Sequence, residues 1–325
     1  MLDKDYTKII TEAISLSCIQ DKEIQFIESL VGGLSSSWLY KVRCNSHTVV
    51  ARITPPLPAE EQEDHQLICS ELAAGIGLSP AIYFSGEING FEIIIMDFVK
   101  QISLSFADWQ EDDMLTMLAN SLRSLHQGPK FPTGFDVFVQ IKNNLFQISQ
   151  YTIPLFSHSL LLDNFNELKE QLQPQLLEAP CHQDLNLQNF LYDGKKVWMI
   201  DWEAAAQADP FIDLATICNF VLFDPYAQSR FLSKYFGRLP TQPELSKLIL
   251  MRKVSFYFYG TEFLKSALLE ECHLSINELP VFKELYQQFL ANLSIRDASD
   301  QWFILGLTML QCALGKQINM NAGQL

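Results

Sequence analysis

Apolar positions in the first hundred residues follow two different periods. Residues 4–19 carry Ile9, Ile10, Ala13 and Ile14 at near-helical spacing, which predicts an opening helix. From Glu23 the pattern becomes β-rich: Glu23 to Leu30 predicts a strand running into Gly32-Gly33. Trp38 to Arg43 and Thr48 to Ile53 predict two more, with Cys44-Asn45-Ser46-His47 as the hairpin turn. Pro55-Pro56-Leu57-Pro58 interrupts the chain, and Glu60 to Gly75 returns to a helical pattern that ends at Gly75 and Gly77 with Pro80 beyond. Ala81 to Ser85 and Phe91 to Met96 predict a further hairpin through Asn89-Gly90.

After Asp97-Phe98-Val99 the character changes. Residues 106–127, 135–150 and 158–173 predict helices, and a mainly helical stretch runs from 211 to the end. The expected fold class is therefore α+β, with an antiparallel-sheet N-terminal lobe over 1–99 and a larger, mainly helical C-terminal lobe over 100–325. No internal repeat or low-complexity segment interrupts this plan. The apolar run Phe303 to Leu314 contains Gln311 and is too short to span a bilayer, so it predicts a buried helix.

Composition narrows the possibilities. Hydrophobic residues are 48% and charged residues 19% of 325, as in a globular protein. The formal net charge of −15 disfavours sequence-independent nucleic-acid binding, where Lys and Arg must neutralise phosphates, and suits cationic small molecules. The 7 cysteines are scattered and form no CxxC pair, which points to reduced thiols and a cytoplasmic location rather than a disulfide framework. The N-terminus lacks the basic and apolar regions of a secretory signal. No membrane partner is expected, and the chain is read as a monomer or homodimer.

Candidate chemistry concentrates in residues 181–203. Asp184 lies 5 residues before Asn189, and Asp201 follows 12 residues later, at the end of Val197-Trp198-Met199-Ile200. Phosphoryl transfer needs such a set: one acid facing the acceptor hydroxyl, and an Asn and an Asp to hold Mg²⁺ on the nucleotide phosphates. The spacing predicts a catalytic loop, a strand, a turn, a second strand and then the metal-binding Asp.

These residues, with His182 before Asp184, Ile200-Asp201-Trp202-Glu203, and Asp209-Pro210 followed by Asp213-Leu214-Ala215, resemble the aminoglycoside phosphotransferase and choline kinase superfamily, in its choline, ethanolamine and thiamine kinase branch. The resemblance spans roughly residues 25–265. It implies a protein-kinase-like two-lobe fold and ATP-dependent phosphorylation with Mg²⁺. Asp184 would be the catalytic base, Asn189 and Asp201 the magnesium ligands, His182 a packed loop residue, and Asp213 a brace for the catalytic loop. Gly33, Ser35 and Ser36 would approach the nucleotide phosphates, where missing Cβ atoms and hydroxyl donors help. Arg52 takes the place of the strand lysine that contacts α/β-phosphates. Its acidic partner falls on Gln66, which cannot form an ion pair, and Glu63 or Glu71 would require a shift of one turn. Asp97 and Val99 would offer backbone groups to adenine, with Met96 beside the base.

Asp201 is followed by Trp-Glu rather than Phe-Gly, and Asp209-Pro210 comes too soon to leave room for a peptide platform. A small-molecule acceptor is therefore expected. The run Val254 to Phe263 is dense in aromatics, which suit a quaternary ammonium through cation–π attraction but also suit a core. Asp224, Tyr257, Tyr259 and Trp302 are the candidate acceptor-binding residues. Choline or ethanolamine is the leading acceptor; thiamine, an aminoglycoside or other antibiotic, and a sugar are alternatives. A nucleotide-binding pseudokinase remains a reading of another class.

Overall fold

The structure is a computed structural model that describes residues 6–30, 37–55, 65–272, 274, 276–291 and 299–315. The chain divides into two compact units, Met1–Ser103 with Asn189–Glu203, and Leu104–Gln188 with Ala204–Leu325.

The first unit begins with helix α1 (Thr7–Leu16), strands β1 (Ile24–Leu30), β2 (Trp38–Cys44) and β3 (Thr48–Thr54), helix α2 (His65–Gly75), and strands β4 (Ile82–Ile88) and β5 (Phe91–Asp97). The five strands form one antiparallel sheet in the order β1-β2-β3-β5-β4. Alternation along β3 sorts its residues by face. Val49, Ala51 and Ile53 enter a core with Ile9, Ile10, Ala13 and Ile14 of α1 and Ile93 and Ile95 of β5. Arg52 therefore belongs to the opposite face, where it pairs with Ile94, and Val50 pairs with Met96.

The second unit is mainly helical. It contributes α3 (Asp112–His126), α4 (Val137–Ile148), α5 (His158–Leu172) and the short strand β6 (Ala179–Cys181). The chain then returns to the first unit as the hairpin β7 (Phe190–Tyr192) and β8 (Val197–Met199). Backbone bonds from Met199 N to Leu78 O (2.8 Å) and from Ile102 N to Tyr192 O (2.7 Å) hold the hairpin there. A unit built from two separate stretches of chain is beyond what a single boundary in the sequence expresses. The second unit resumes with β9 (Ala206–Ala208), paired with β6, followed by α6 (Phe211–Phe220), α7 (Pro225–Phe236), α8 (Gln242–Leu269), α9 (Phe282–Ala291) and α10 (Ser299–Ala313).

Helix α6 is buried at every position, and α8 is buried on several sides, so neither carries a simple amphipathic stripe. Thr241 starts α8 with a capping box to Glu244. Helices α8 and α10 approach closely because each has a glycine at the crossing. A Cβ on Gly306 would lie 2.7 Å from the Leu264 nitrogen and 2.9 Å from the Gly260 oxygen, both backbone atoms that move only with the helix. Gly306→Ala is expected to cost ~2 kcal/mol or more of folding stability through overpacking, outweighing the higher helix propensity of Ala. Denaturant melts of the two proteins check this, and an unchanged midpoint would contradict it. The apolar run ending near Leu314 is the buried α10, as expected, and among the described residues no helix is long and apolar enough to cross a membrane.

Candidate active site

In the first unit the hairpin brings two of the predicted residues together. Phe190 opposes Met199, so Asn189 and Ile200 close the open end of the ladder, and Ile200 N donates to Asn189 O at 3.0 Å. Asn189 and Asp201 are thereby neighbours across two strand ends, as the spacing predicted. Asn189 is buried. Asp201 adopts φ +66°, a left-handed conformation that few non-glycine residues take and that Asp tolerates better than most. An amide and a carboxylate on neighbouring strand ends are hard-oxygen donors of the kind that fits Mg²⁺.

Arg52 has an acidic partner that the sequence did not disclose. Its guanidinium donates to Glu203 Oε1 at 2.5 Å and to Ser37 Oγ at 3.2 Å. Glu203 lies 151 residues away, two residues after Asp201, and belongs to the same unit. The ion pair that Gln66 could not make is thus made by the Asp201-Trp202-Glu203 segment, and Glu63 lies outside the described residues. Glu71 is exposed on α2. The only advance signal was the presence of Glu203 in the motif.

At the end of β5 the Asp97 side chain is a brace. Its Oδ1 accepts from His47 Nε2 (2.9 Å) and the Tyr83 hydroxyl (2.8 Å). Burial and the Asp97 carboxylate push the Tyr83 phenol up to about 12, which keeps it a donor. The Asp97 and Phe98 amides donate to Ala81 O and Thr48 O. Gly33, Ser35 and Ser36 lie outside the described residues.

The loop that carries His182, Gln183 and Asp184 in the second unit hangs on Asp213 of α6. This fully buried carboxylate accepts the backbone N–H of His182 on Oδ2 (2.9 Å) and that of Gln183 on Oδ1 (2.7 Å). Gln183 has φ +65°, and its side chain donates to Phe135 O and Ala204 O, so the unusual conformation is held at both ends. His126 Nε2 meets Asp213 Oδ2 at 3.0 Å, and its Nδ1 meets the Tyr235 hydroxyl at 2.8 Å. His182 is fully buried, and its Nδ1 accepts the Asp184 N–H at 3.4 Å. His126, Cys181 and Asp213 present ligand atoms close enough for a metal. The chemistry argues otherwise: both Asp213 oxygens already accept hydrogen bonds, and burial with nearby carboxylates pushes the Cys181 thiol well up, keeping it protonated. Asp209 is likewise structural, holding Lys247 Nζ at 2.6 Å and the amides of Leu177 and Phe211.

Asp184 Oδ1 accepts from Asn186 Nδ2 (2.9 Å) and from the Tyr259 hydroxyl. Tyr259 sits in a file of rings. Its centroid is 4.4 Å from Phe220, Phe220 is 5.3 Å from Tyr286, Tyr286 is 6.2 Å from Phe223, and Phe223 is 5.6 Å from Phe106. Burial and, secondarily, the Asp184 charge push the Tyr286 phenol far up. Tyr286 and Asn186 were not foreseen; Asn186 had the signal of standing in the catalytic loop, and Tyr286 had none.

Of the other acceptor candidates, Tyr257 points into the helical interior. Tyr257 is two residues from Tyr259, hence roughly 200° around α8. It is fully buried, and its hydroxyl donates to Leu161 O and Asn164 Oδ1. Asp224 caps α7 by accepting the Ala227 N–H at 3.0 Å. Trp302 is half-buried on α10. Most of the aromatic run on α8 is core, with Phe256 against Phe282 and Phe258 against Phe135.

A sequence model of the phosphotransferase enzyme family matches residues 27–245, and the chain belongs to that family. The LicA protein of Haemophilus influenzae is 27% identical over 119 residues, which is 35% of this chain and 44% of that protein. Among solved structures, choline kinase LicA from Streptococcus pneumoniae superposes with a TM-score of 0.66 at 19% identity, covering 97% of this chain and 99% of the other. Spectinomycin phosphotransferase, solved with ADP and spectinomycin, gives 0.62 at 14% identity, covering 98% of each chain. At such identities these likenesses concern the fold, which is the α+β protein-kinase-like arrangement expected above. The family match ends within α8, before Tyr257, Tyr259, Tyr286 and Trp302.

Proposed function

We propose that this phosphotransferase moves the γ-phosphoryl group of ATP to the hydroxyl of a small cationic alcohol, with choline or ethanolamine as the leading acceptor. The observation that supports the reading is the file of rings from Phe106 to Tyr259 that ends on Asp184, in which Phe106 and Phe223 are half-buried and Phe220, Tyr286 and Tyr259 are buried behind them. Aromatic faces attract a quaternary or primary ammonium without offering a hydrogen bond to displace. The adjoining carboxylate and the net charge of −15 add to that attraction. A neutral polyol would instead call for several convergent donors and acceptors.

Asp184 would accept the proton of the acceptor hydroxyl as its oxygen bonds to phosphorus. Arg52, held by Glu203, would contact the nucleotide phosphates through its planar fork. With the Asp97 and Phe98 amides already engaged, the Asp97 carbonyl and the Val99 amide would bond the adenine edge, with Met96 beside it. Asn189 and Asp201 would hold Mg²⁺, which when bound neutralises phosphate charge. A cytoplasmic site of action accords with the free thiols and the supply of ATP.

The test is ADP release by the purified protein with ATP and Mg²⁺ against choline, ethanolamine, thiamine, spectinomycin, an aminoglycoside and simple sugars. One amino alcohol is expected to exceed the other classes at least ~10-fold in kcat/KM, the factor given by 1.4 kcal/mol of differential binding. Preference for an antibiotic or a sugar would overturn the acceptor class. Thermal stabilisation by ATP with no ADP release on any acceptor would favour a nucleotide-binding pseudokinase.

A further inference from the structure

We propose that Tyr259 is a positioning residue for the catalytic base, acting with Asn186 as a two-donor clamp on a single oxygen of Asp184. Both hydrogen bonds land on Oδ1. The orientation of Asn186 is set independently. Its Oδ1 accepts the Gln188 N–H at 2.9 Å, which turns the NH₂ group toward Asp184. The Tyr259 ring is fixed by packing at 4.4 Å against Phe220 and at 5.1 Å against Phe258. Burial and the Asp184 charge push its phenol far above its ordinary value, so it remains a donor throughout the working pH range.

A carboxylate has two oxygens with equivalent chemistry, and free rotation would let either receive a proton. Two donors on Oδ1 remove that freedom. They also stabilise the charge there and fix the orientation in which the carboxylate takes the acceptor's proton as the acceptor oxygen bonds to phosphorus and the bond to the ADP oxygen breaks. The clamp reaches across 75 residues from α8 to the Asp184 loop, and its Tyr259 member lies beyond the matched part of the family sequence. It couples the helix bearing the aromatic wall to the orientation of the base. A ring that merely lined the acceptor site would touch the acceptor, and a ring that merely filled the core would not need a hydroxyl aimed at Asp184.

The inference rests on the phosphotransfer reading above, so the wild type is assayed first with the acceptor that the panel selects. Wild-type inactivity on every acceptor counts against that reading, and hence against any clamp serving it. With an active wild type, Tyr259→Phe is expected to lower kcat at least ~10-fold, part of the ~10²–10⁴-fold that a positioned base supplies, while leaving the acceptor and ATP KM within about threefold. Its ATP-dependent thermal shift should match the wild type and so report an intact fold. Asn186→Ala should give the same kcat-only loss. The double variant should lose less than the product of the two single effects, because both donors serve one oxygen. An unchanged kcat in Tyr259→Phe, or a raised acceptor KM at unchanged kcat, overturns the proposal. If Tyr259→Phe does not fold, Asn186→Ala decides: wild-type kcat in that variant overturns the clamp.

Discussion

Asp184→Asn is expected to yield a folded protein whose kcat falls about 10³-fold or more, within or above the range for loss of a general base. The substitution is nearly isosteric. An asparagine oxygen can still accept from Tyr259 and Asn186, which together with the His182 interaction keeps the loop in place. What the amide lacks is the ability to take the acceptor's proton. ATP binding, read as a nucleotide-dependent thermal shift, should be retained, because Arg52, Asn189 and Asp201 belong to the other unit. Turnover at the wild-type rate by a verified Asp184→Asn protein would remove Asp184 from the mechanism and leave positioning and charge neutralisation as the sources of catalysis.

Asp213→Asn should damage both stability and turnover. Asp213 is fully buried and receives the amides of His182 and Gln183 as well as His126 Nε2. An asparagine supplies one acceptor oxygen and one NH₂ group, so at least one backbone N–H of the loop would face another donor. Hydrogen bonds to a charged acceptor contribute about 1.5–3 kcal/mol each, and breaking a buried charged network typically costs about 3–5 kcal/mol. The left-handed Gln183 would then lose the acceptor that holds it, and Asp184 is the next residue. A lower denaturation midpoint and a kcat reduced by at least ~10-fold in the surviving folded fraction are expected together. A folded Asp213→Asn protein with wild-type kcat would show that the carboxylate stabilises the helix–loop junction without setting the base. The contrast with Asp184→Asn is informative: one variant loses chemistry at nearly constant stability, and the other loses both.

Much of the fold was legible because its signals are local. β-rich runs bounded by turn residues marked β2, β3 and β5, which supply Val42, Val49, Ala51, Ile53, Ile93 and Ile95 to the core, and Ile9, Ile10, Ala13 and Ile14 marked the face of α1 that covers them. The meeting of Asn189 and Asp201 was legible too, since a two-strand hairpin between them must bring its ends together. The aromatic run at 254–263 was less so. Helix α8 is surrounded by other helices, so apolar residues occupy several of its faces and no stripe separates core from site. Tyr257 and Tyr259 look alike in sequence, yet one bonds Leu161 in the interior and the other bonds Asp184.

Length, periodicity and the spacing of Asp184, Asn189 and Asp201 thus determined the class of fold and the kind of reaction, because strands, helices and hairpins are set by neighbours a few residues apart. Tertiary structure alone decided which groups two of the candidate residues answer to: Glu203 for Arg52 across 151 residues and Tyr259 for Asp184 across 75. Such partners are chosen by where packed helices and sheet faces end up. No pattern of short-range spacing encodes that, since the same carboxylate or phenol would serve equally well from many positions in the chain.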